Sequence, residues 1–115
     1  MSARREVVLW VAQRATAVVL ALCVVVHLAT MIYAVRNGLT AGEILGRTRG
    51  NLAWGAFYSV FVVAAAIHGA IGLRTIAAEW LHWRGDAAEL AMTAIGFCLT
   101  IAGLRAVAAV VGMPA

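Results

Sequence analysis

Residues 51–79 read NLAWGAFYSVFVVAAAIHGAIGLRTIAAE. The run from Asn51 to Leu73 carries no charged side chain and exceeds the roughly 20 residues that a helix needs to cross a bilayer. Arg74 follows directly and marks the point at which the segment leaves the membrane. The stretch therefore predicts a transmembrane helix, around which the rest of the chain can be interpreted.

A histidine, His68, lies inside this apolar run. Ala64 and Ala65 precede it by four and three residues, and Gly72 follows it by four. Residues at these spacings share a helix face, so small residues around His68 leave room for a flat ring. An ionisable side chain at this depth is costly unless it is paired or coordinated. His68 is therefore either a haem ligand or a hydrogen-bonding group in a small-residue seam between helices.

Composition places the whole chain in a membrane. Its 115 residues are 64% hydrophobic, whereas a soluble domain is about half apolar. The net charge of +4 comes from nine arginines without lysine. These arginines are scattered at segment ends and form no basic patch with interleaved aromatics, so nucleic-acid binding is not expected. Cys23 and Cys98 lie in separate apolar runs and provide neither a disulfide framework nor a metal-binding spacing.

Three apolar runs predict an all-α integral membrane protein with a single transmembrane domain, residues 1–115. The expected helices cover approximately residues 10–36, 51–79 and 87–112, with a glycine-punctuated loop at 36–50. Five arginines flank the spans on the side of the N-terminus and second connector, against three in the first loop. Because cytoplasmic loops are enriched in arginine, we expect a cytoplasmic N-terminus in a bacterial-type inner membrane.

The first helix carries a second intramembrane histidine, His27. It lies about 20 Å along the helix from Arg14, whereas His68 lies about 9 Å from Arg74. Both arginines belong to the same membrane boundary in this topology, so the histidines differ in depth by about 10 Å. They are poor partners for one haem. His27 is either a ligand of a distal haem or a donor to a carbonyl or threonine across the bundle.

Two motifs carry a resemblance to a known family. The pattern His-x-x-x-Gly-x-Arg at 68–74, with Glu79 five residues later, resembles the second transmembrane helix of the cytochrome b membrane-anchor subunits of succinate dehydrogenase. Arg14 and Thr16 match a motif in the first helix of the same family. The match is incomplete, because Trp10 replaces a serine of that motif and Thr75 replaces a second histidine.

The resemblance implies that the three helices form half of a haem-binding helical bundle. One or two haem b groups would be shared with a second membrane-anchor subunit, with His68 and His27 as axial ligands of the haem iron. Arg74 would lie near the haem propionates. The implied quinone-binding residues are Arg14, Thr16, Gln13 and Trp10.

The resemblance also implies partners. An iron–sulfur subunit and a flavoprotein subunit would dock onto this chain and carry the dicarboxylate-oxidising site of a succinate:quinone (or fumarate) oxidoreductase. This chain has no glycine-rich nucleotide loop and no cysteine cluster of its own. Its expected contribution is docking, haem ligation and one wall of the quinone site in the lipid bilayer.

Two other functions remain open at this point. A small transporter or channel subunit would place a carboxylate in mid-membrane, but the five acids lie in terminal or loop regions or near the ends of the predicted helices. A cofactor-free structural subunit would leave both intramembrane histidines unexplained. For Arg14, the alternative to quinone binding is a solvated charge at the start of a helix.

Overall fold

The computed structural model describes residues 2–112, and they form four helices. These are α1 (Ala3–Asn37), α2 (Ala41–Thr48), α3 (Leu52–Trp80) and α4 (Asp86–Val111). Helices α1, α3 and α4 are each long and apolar enough to cross a membrane. The prediction of an all-α membrane protein with three transmembrane helices is therefore confirmed, and the protein is a multi-pass membrane protein.

Helix α1 begins earlier than the sequence prediction, which placed its start near residue 10. Ser2 caps it, because the Ser2 side chain accepts a hydrogen bond from the Arg5 backbone N–H at 3.2 Å. Glu6 in the first turn adds a favourable interaction with the helix dipole. The basic segment before the apolar run is thus the first turns of the same helix.

Helix α2 lies within the segment that was expected to be a loop, residues 36–50. Thr40 is its N-cap: the Thr40 side chain accepts from the Glu43 backbone N–H at 3.2 Å and donates its hydroxyl proton to Glu43 Oε1 at 2.6 Å. Gly42 and Gly46 each weaken a helix by about 1 kcal/mol, which hid α2 in the sequence. Tertiary contacts compensate, since Thr48 Oγ1 donates to the Val110 carbonyl of α4 at 2.6 Å.

Helix α3 is the central helix and packs against both α1 and α4. Small residues allow α3 and α4 to approach closely: a Cβ on Gly103 would clash with Val62 Cγ1, and one on Gly96 would lie 3.2 Å from Ala70 Cβ. Such close backbone approach is typical of helix packing in membranes.

Large apolar side chains point outward rather than into a core. Leu22 and Phe97 are each 67% exposed, whereas the buried residues include Ala66 and Ala77, each 3% exposed. This distribution is the reverse of a soluble domain. Lipid or partner subunits therefore cover the outer surface of α1, α3 and α4.

Candidate functional site

The face between α1 and α3 contains His68. Its ring is half-buried, and its Nδ1 lies 3.2 Å from Thr16 Oγ1 on α1. The Thr16 hydroxyl also lies 2.8 Å from the Ala12 carbonyl oxygen and 3.1 Å from that of Gln13. A hydroxyl has one proton to donate. The nearest acceptor for it is the Ala12 carbonyl, which leaves a lone pair of Thr16 Oγ1 facing His68 Nδ1.

This arrangement favours the tautomer of His68 that carries its proton on Nδ1. A neutral imidazole with its proton on Nδ1 has its lone pair on Nε2. His68 Nε2 makes no hydrogen bond to any of residues 2–112. His68 is therefore a half-buried imidazole with one nitrogen satisfied by Thr16 and the other available to a ligand.

The small residues around His68 are only partly open. Ala64 is buried and Ala65 is exposed, so the groove opens at Ala65. Gly72 does not extend this open surface, because a Cβ placed there would lie 3.5 Å from Gln13 Nε2. The absent side chain of Gly72 makes room for Gln13, and a flat ring next to His68 would lie on the Ala65 side.

A cavity of about 430 Å³ lies between the first turns of α1 and the last turns of α3. Trp10 and Gln13 line it from α1, and Arg74 and Thr75 line it from α3. Gln13 Oε1 is buried and has no hydrogen-bond partner among the described residues. A buried acceptor without a donor is costly, so this oxygen is suited to a ligand or water that donates a hydrogen bond.

The structure brings two of the four sequence-predicted quinone residues into the wall of this cavity. Trp10 and Gln13 line it, but Arg14 and Thr16 do not. Thr16 contacts the histidine instead. Arg14 is exposed and places its guanidinium carbon 5.1 Å from the centroid of the Trp10 ring.

Arg74 belongs to a network of ion pairs at the same end of the bundle. Its Nε lies 2.6 Å from Glu89 Oε1 and its Nη2 lies 3.4 Å from Glu6 Oε1. Arg5 Nη2 completes the network at 3.2 Å from Glu89 Oε2. The network joins α1, α3 and α4. Sequence reasoning missed Glu6, Glu89 and Arg5, because nothing local to each residue indicates its partner.

The second intramembrane histidine, His27, lies far from this site. Its half-buried ring packs edge-on against Phe61 and Tyr58, with ring centroids 5.6 Å and 6.0 Å away. Phe61 precedes His68 by two helical turns, so the histidines differ in depth by about 10 Å. A separate cavity of about 780 Å³, lined also by Trp54 and Arg47, adjoins His27.

Comparison with known proteins adds the family. No curated protein and no solved structure matches the chain. The family model described as the succinate dehydrogenase/fumarate reductase transmembrane subunit matches residues 1–108, nearly the whole sequence. This match spans all three transmembrane helices and confirms the resemblance seen at residues 10–17 and 68–79. The chain belongs to the succinate dehydrogenase/fumarate reductase transmembrane subunit family.

Proposed function

We propose that this protein is a haem b-binding membrane anchor of a succinate:quinone (or fumarate) oxidoreductase, with His68 as an axial ligand of the haem iron. The observation that carries the proposal is the state of the His68 ring. Its Nδ1 is satisfied by Thr16 and its Nε2 has no hydrogen-bond partner within residues 2–112. A neutral imidazole with a free lone pair is the form that coordinates iron.

The surroundings of His68 fit a porphyrin on one side. Ala65 is exposed next to it, and the helix surface continues through the exposed side chain of Ile67. When bound, haem b supplies reversible one-electron storage. Arg74 at the end of the bundle offers a cation to a propionate, in company with its carboxylate partners Glu89 and Glu6.

The second axial ligand comes from a partner in this proposal. His27 lies about 10 Å away in depth and packs against Phe61 on α3, so it does not face the iron that His68 would hold. A second membrane-anchor subunit would supply the opposite ligand. His27 would ligate a distal haem, if the complex holds two, beside the larger cavity lined by Tyr58 and Trp54.

The quinone site in this proposal is the cavity of about 430 Å³ near the start of α1. The Trp10 indole N–H and the Gln13 amide can donate to quinone carbonyl oxygens. The unpaired Gln13 Oε1 can accept from the hydroxyl of the reduced quinol. Arg14, stacked over Trp10, would add positive charge behind this wall of the cavity.

The peripheral subunits would dock at the same end of the bundle. The N-terminus, the 81–85 connector and the ion pairs of Arg5, Arg74 and Glu89 all lie there. With the N-terminus in the cytoplasm, this end faces the iron–sulfur and flavoprotein subunits. These subunits would deliver electrons from the dicarboxylate to the quinone cavity.

The competing functions have weaker support. In a transporter or channel subunit a carboxylate would lie in mid-membrane, but Glu6 and Glu89 pair with arginines at one end of the bundle. A cofactor-free structural subunit gives no role to the unpaired Nε2 of His68.

Substitution of His68 tests the proposal in the purified complex with its partner subunits. His68→Leu keeps the helix apolar and removes the ligand. We expect loss of one b-haem signal in the reduced-minus-oxidised spectrum, with the chain still in the membrane. His82, in an exposed turn at φ 52°, provides the control. His82→Asn suits that backbone and should keep the wild-type spectrum. A wild-type spectrum in His68→Leu would contradict haem ligation by this residue.

A further inference from the structure

We propose that Thr16 is a positioning residue for the haem ligand His68, rather than a contact of the quinone. The inference rests on the proposed function above. Its basis is the 3.2 Å contact between Thr16 Oγ1 and His68 Nδ1, which links α1 to α3 across 52 residues of sequence. Thr16 would hold the imidazole ring at the angle and in the tautomer that present Nε2 to the iron.

The direction of the hydrogen bond follows from the other partners of Thr16. Its hydroxyl proton goes to the Ala12 carbonyl at 2.8 Å, the usual back-bond of a threonine to the preceding helical turn. The oxygen lone pairs then face His68 Nδ1, so Nδ1 carries the proton. The opposite arrangement, with Thr16 donating to Nδ1, would put the proton on Nε2 and block iron binding.

The contact has an electronic consequence as well as a geometric one. A hydrogen bond from the far nitrogen of a metal-bound histidine raises the basicity of the ligand. A more basic ligand stabilises ferric haem over ferrous haem and lowers the reduction potential. Second-shell hydrogen bonds of this kind set haem potentials. Loss of the Thr16 acceptor should therefore shift the midpoint potential of the His68 haem to a more positive value.

Thr16 is also well placed to hold this geometry. The two backbone carbonyls of Ala12 and Gln13 restrict its side-chain rotation, and α1 is a continuous helix through this point. The residue lies outside the wall of the quinone cavity, whose α1 side is formed by Trp10 and Gln13. An effect of Thr16 on quinone affinity is therefore not expected.

Two substitutions at Thr16 separate the hydroxyl from the shape of the side chain. Thr16→Val keeps the branched shape and removes the acceptor, and Thr16→Ser keeps the acceptor and removes the methyl group. Thr100→Val is the matched control, because Thr100 Oγ1 makes the same back-bond to the Gly96 carbonyl at 2.8 Å on α4. All variants are purified as the complete complex and compared by redox titration and by low-temperature EPR of the ferric haem.

We expect Thr16→Val to raise the midpoint potential and move the low-spin haem g-values, or to lose that haem. Thr16→Ser and Thr100→Val should resemble the wild type, and the KM for quinone should stay unchanged. A wild-type midpoint potential and wild-type g-values in Thr16→Val would overturn the inference. So would a Thr16→Ser variant whose potential and g-values are altered in the same way as those of Thr16→Val. A raised quinone KM without a haem shift would restore the quinone assignment. Retention of the haem in His68→Leu would instead contradict the proposed function itself.

Discussion

Arg74 on α3 and Glu89 on α4 form an ion pair of 2.6 Å, and each has a further partner on α1. The Arg74 side chain is 21% exposed and the Glu89 side chain is 26% exposed. This partial shielding makes the pairs less screened than ion pairs in open solvent. The network thereby ties the three transmembrane helices together at the end of the bundle that holds the cavity of about 430 Å³.

Glu89→Gln should weaken this end of the bundle. The substitution removes the carboxylate shared by Arg74 and Arg5, and we expect a loss of roughly 1 kcal/mol in stability. Thermal unfolding of the detergent-solubilised complex would show a lower Tm, and high salt should narrow the difference from wild type. Glu79→Gln, on an exposed side chain, is the control. Equal Tm values for the two variants would rule out a stabilising role for the network.

Gly103→Ala should disrupt the packing of α4 against α3. A Cβ at this position would clash with Val62 Cγ1 and lie 3.2 Å from Val62 Cβ, so Val62 or the helices must shift. We expect a destabilisation of about 1–3 kcal/mol, the usual cost of overpacking. Gly46→Ala is the matched control, because nothing lies within 4 Å of its Cβ position. Gly46→Ala should stabilise α2 by up to about 1 kcal/mol. Tolerance of alanine at Gly103 would contradict the close approach.

Arg14→Leu should abolish quinone reduction and leave haem in place. The guanidinium lies over the ring of Trp10, which lines the cavity, while His68 is on another helix. Succinate oxidation with a soluble dye should persist. Arg36→Leu, an exposed arginine in the last turn of α1, is the control for loss of a charge. Unchanged quinone reduction in Arg14→Leu would leave Arg14 as a charge that only sets topology.

Gln13→Leu should lower kcat/KM for quinone by roughly tenfold, because one or two hydrogen bonds to the substrate would be lost. The dye reaction is again the internal control. The structure favours this residue more strongly than Arg14, since Gln13 lines the cavity and its buried Oε1 is unpaired within residues 2–112. Wild-type kinetics for Gln13→Leu would place the quinone elsewhere.

His27→Leu should leave the spectrum of the His68 haem intact, because the two rings differ in depth by about 10 Å. If the complex holds a second b-haem at the level of Phe61 and Tyr58, its signal should disappear. Optical redox titration of the complex separates the two signals. A redox titration of His27→Leu that matches the wild type would show that His27 packs against the aromatic rings and is not a haem ligand.

Reporter fusions test the orientation. The Arg5–Glu89 pair places the N-terminal end and the 81–85 connector on one side of the membrane, and α2 lies near the far end of α4. A reporter that is active only in the cytoplasm should be active when it is fused within residues 81–85. A reporter fused after Ala115 should indicate the opposite side of the membrane. Residues 113–115 lie outside the described part of the chain. A cytoplasmic signal after Ala115 would reverse the placement of the quinone cavity.

The sequence by itself determined the number of transmembrane helices. Length and hydropathy are properties of each segment alone, so the runs around His27, His68 and Gly96 predict spans without any knowledge of contacts. The spacing of Thr40 and Glu43 is equally local and is a helix-start signal for α2. The glycines at 42 and 46 concealed it, because their low helix propensity outweighs one cap when tertiary contacts are unknown.

The tertiary structure alone decided which polar groups meet. Thr16 and His68 are 52 residues apart, and Arg5 and Glu89 are 84 apart. Helical periodicity shows on which face of its own helix a residue lies. It does not show how the neighbouring helix is rotated about its axis or shifted along it. That rotation and shift depend on the fit between small residues such as Gly103 and side chains such as Val62. The sequence could thus indicate His68 as a candidate ligand, but only the packing of α1 against α3 assigned Thr16 to its Nδ1 and Gln13 to the cavity.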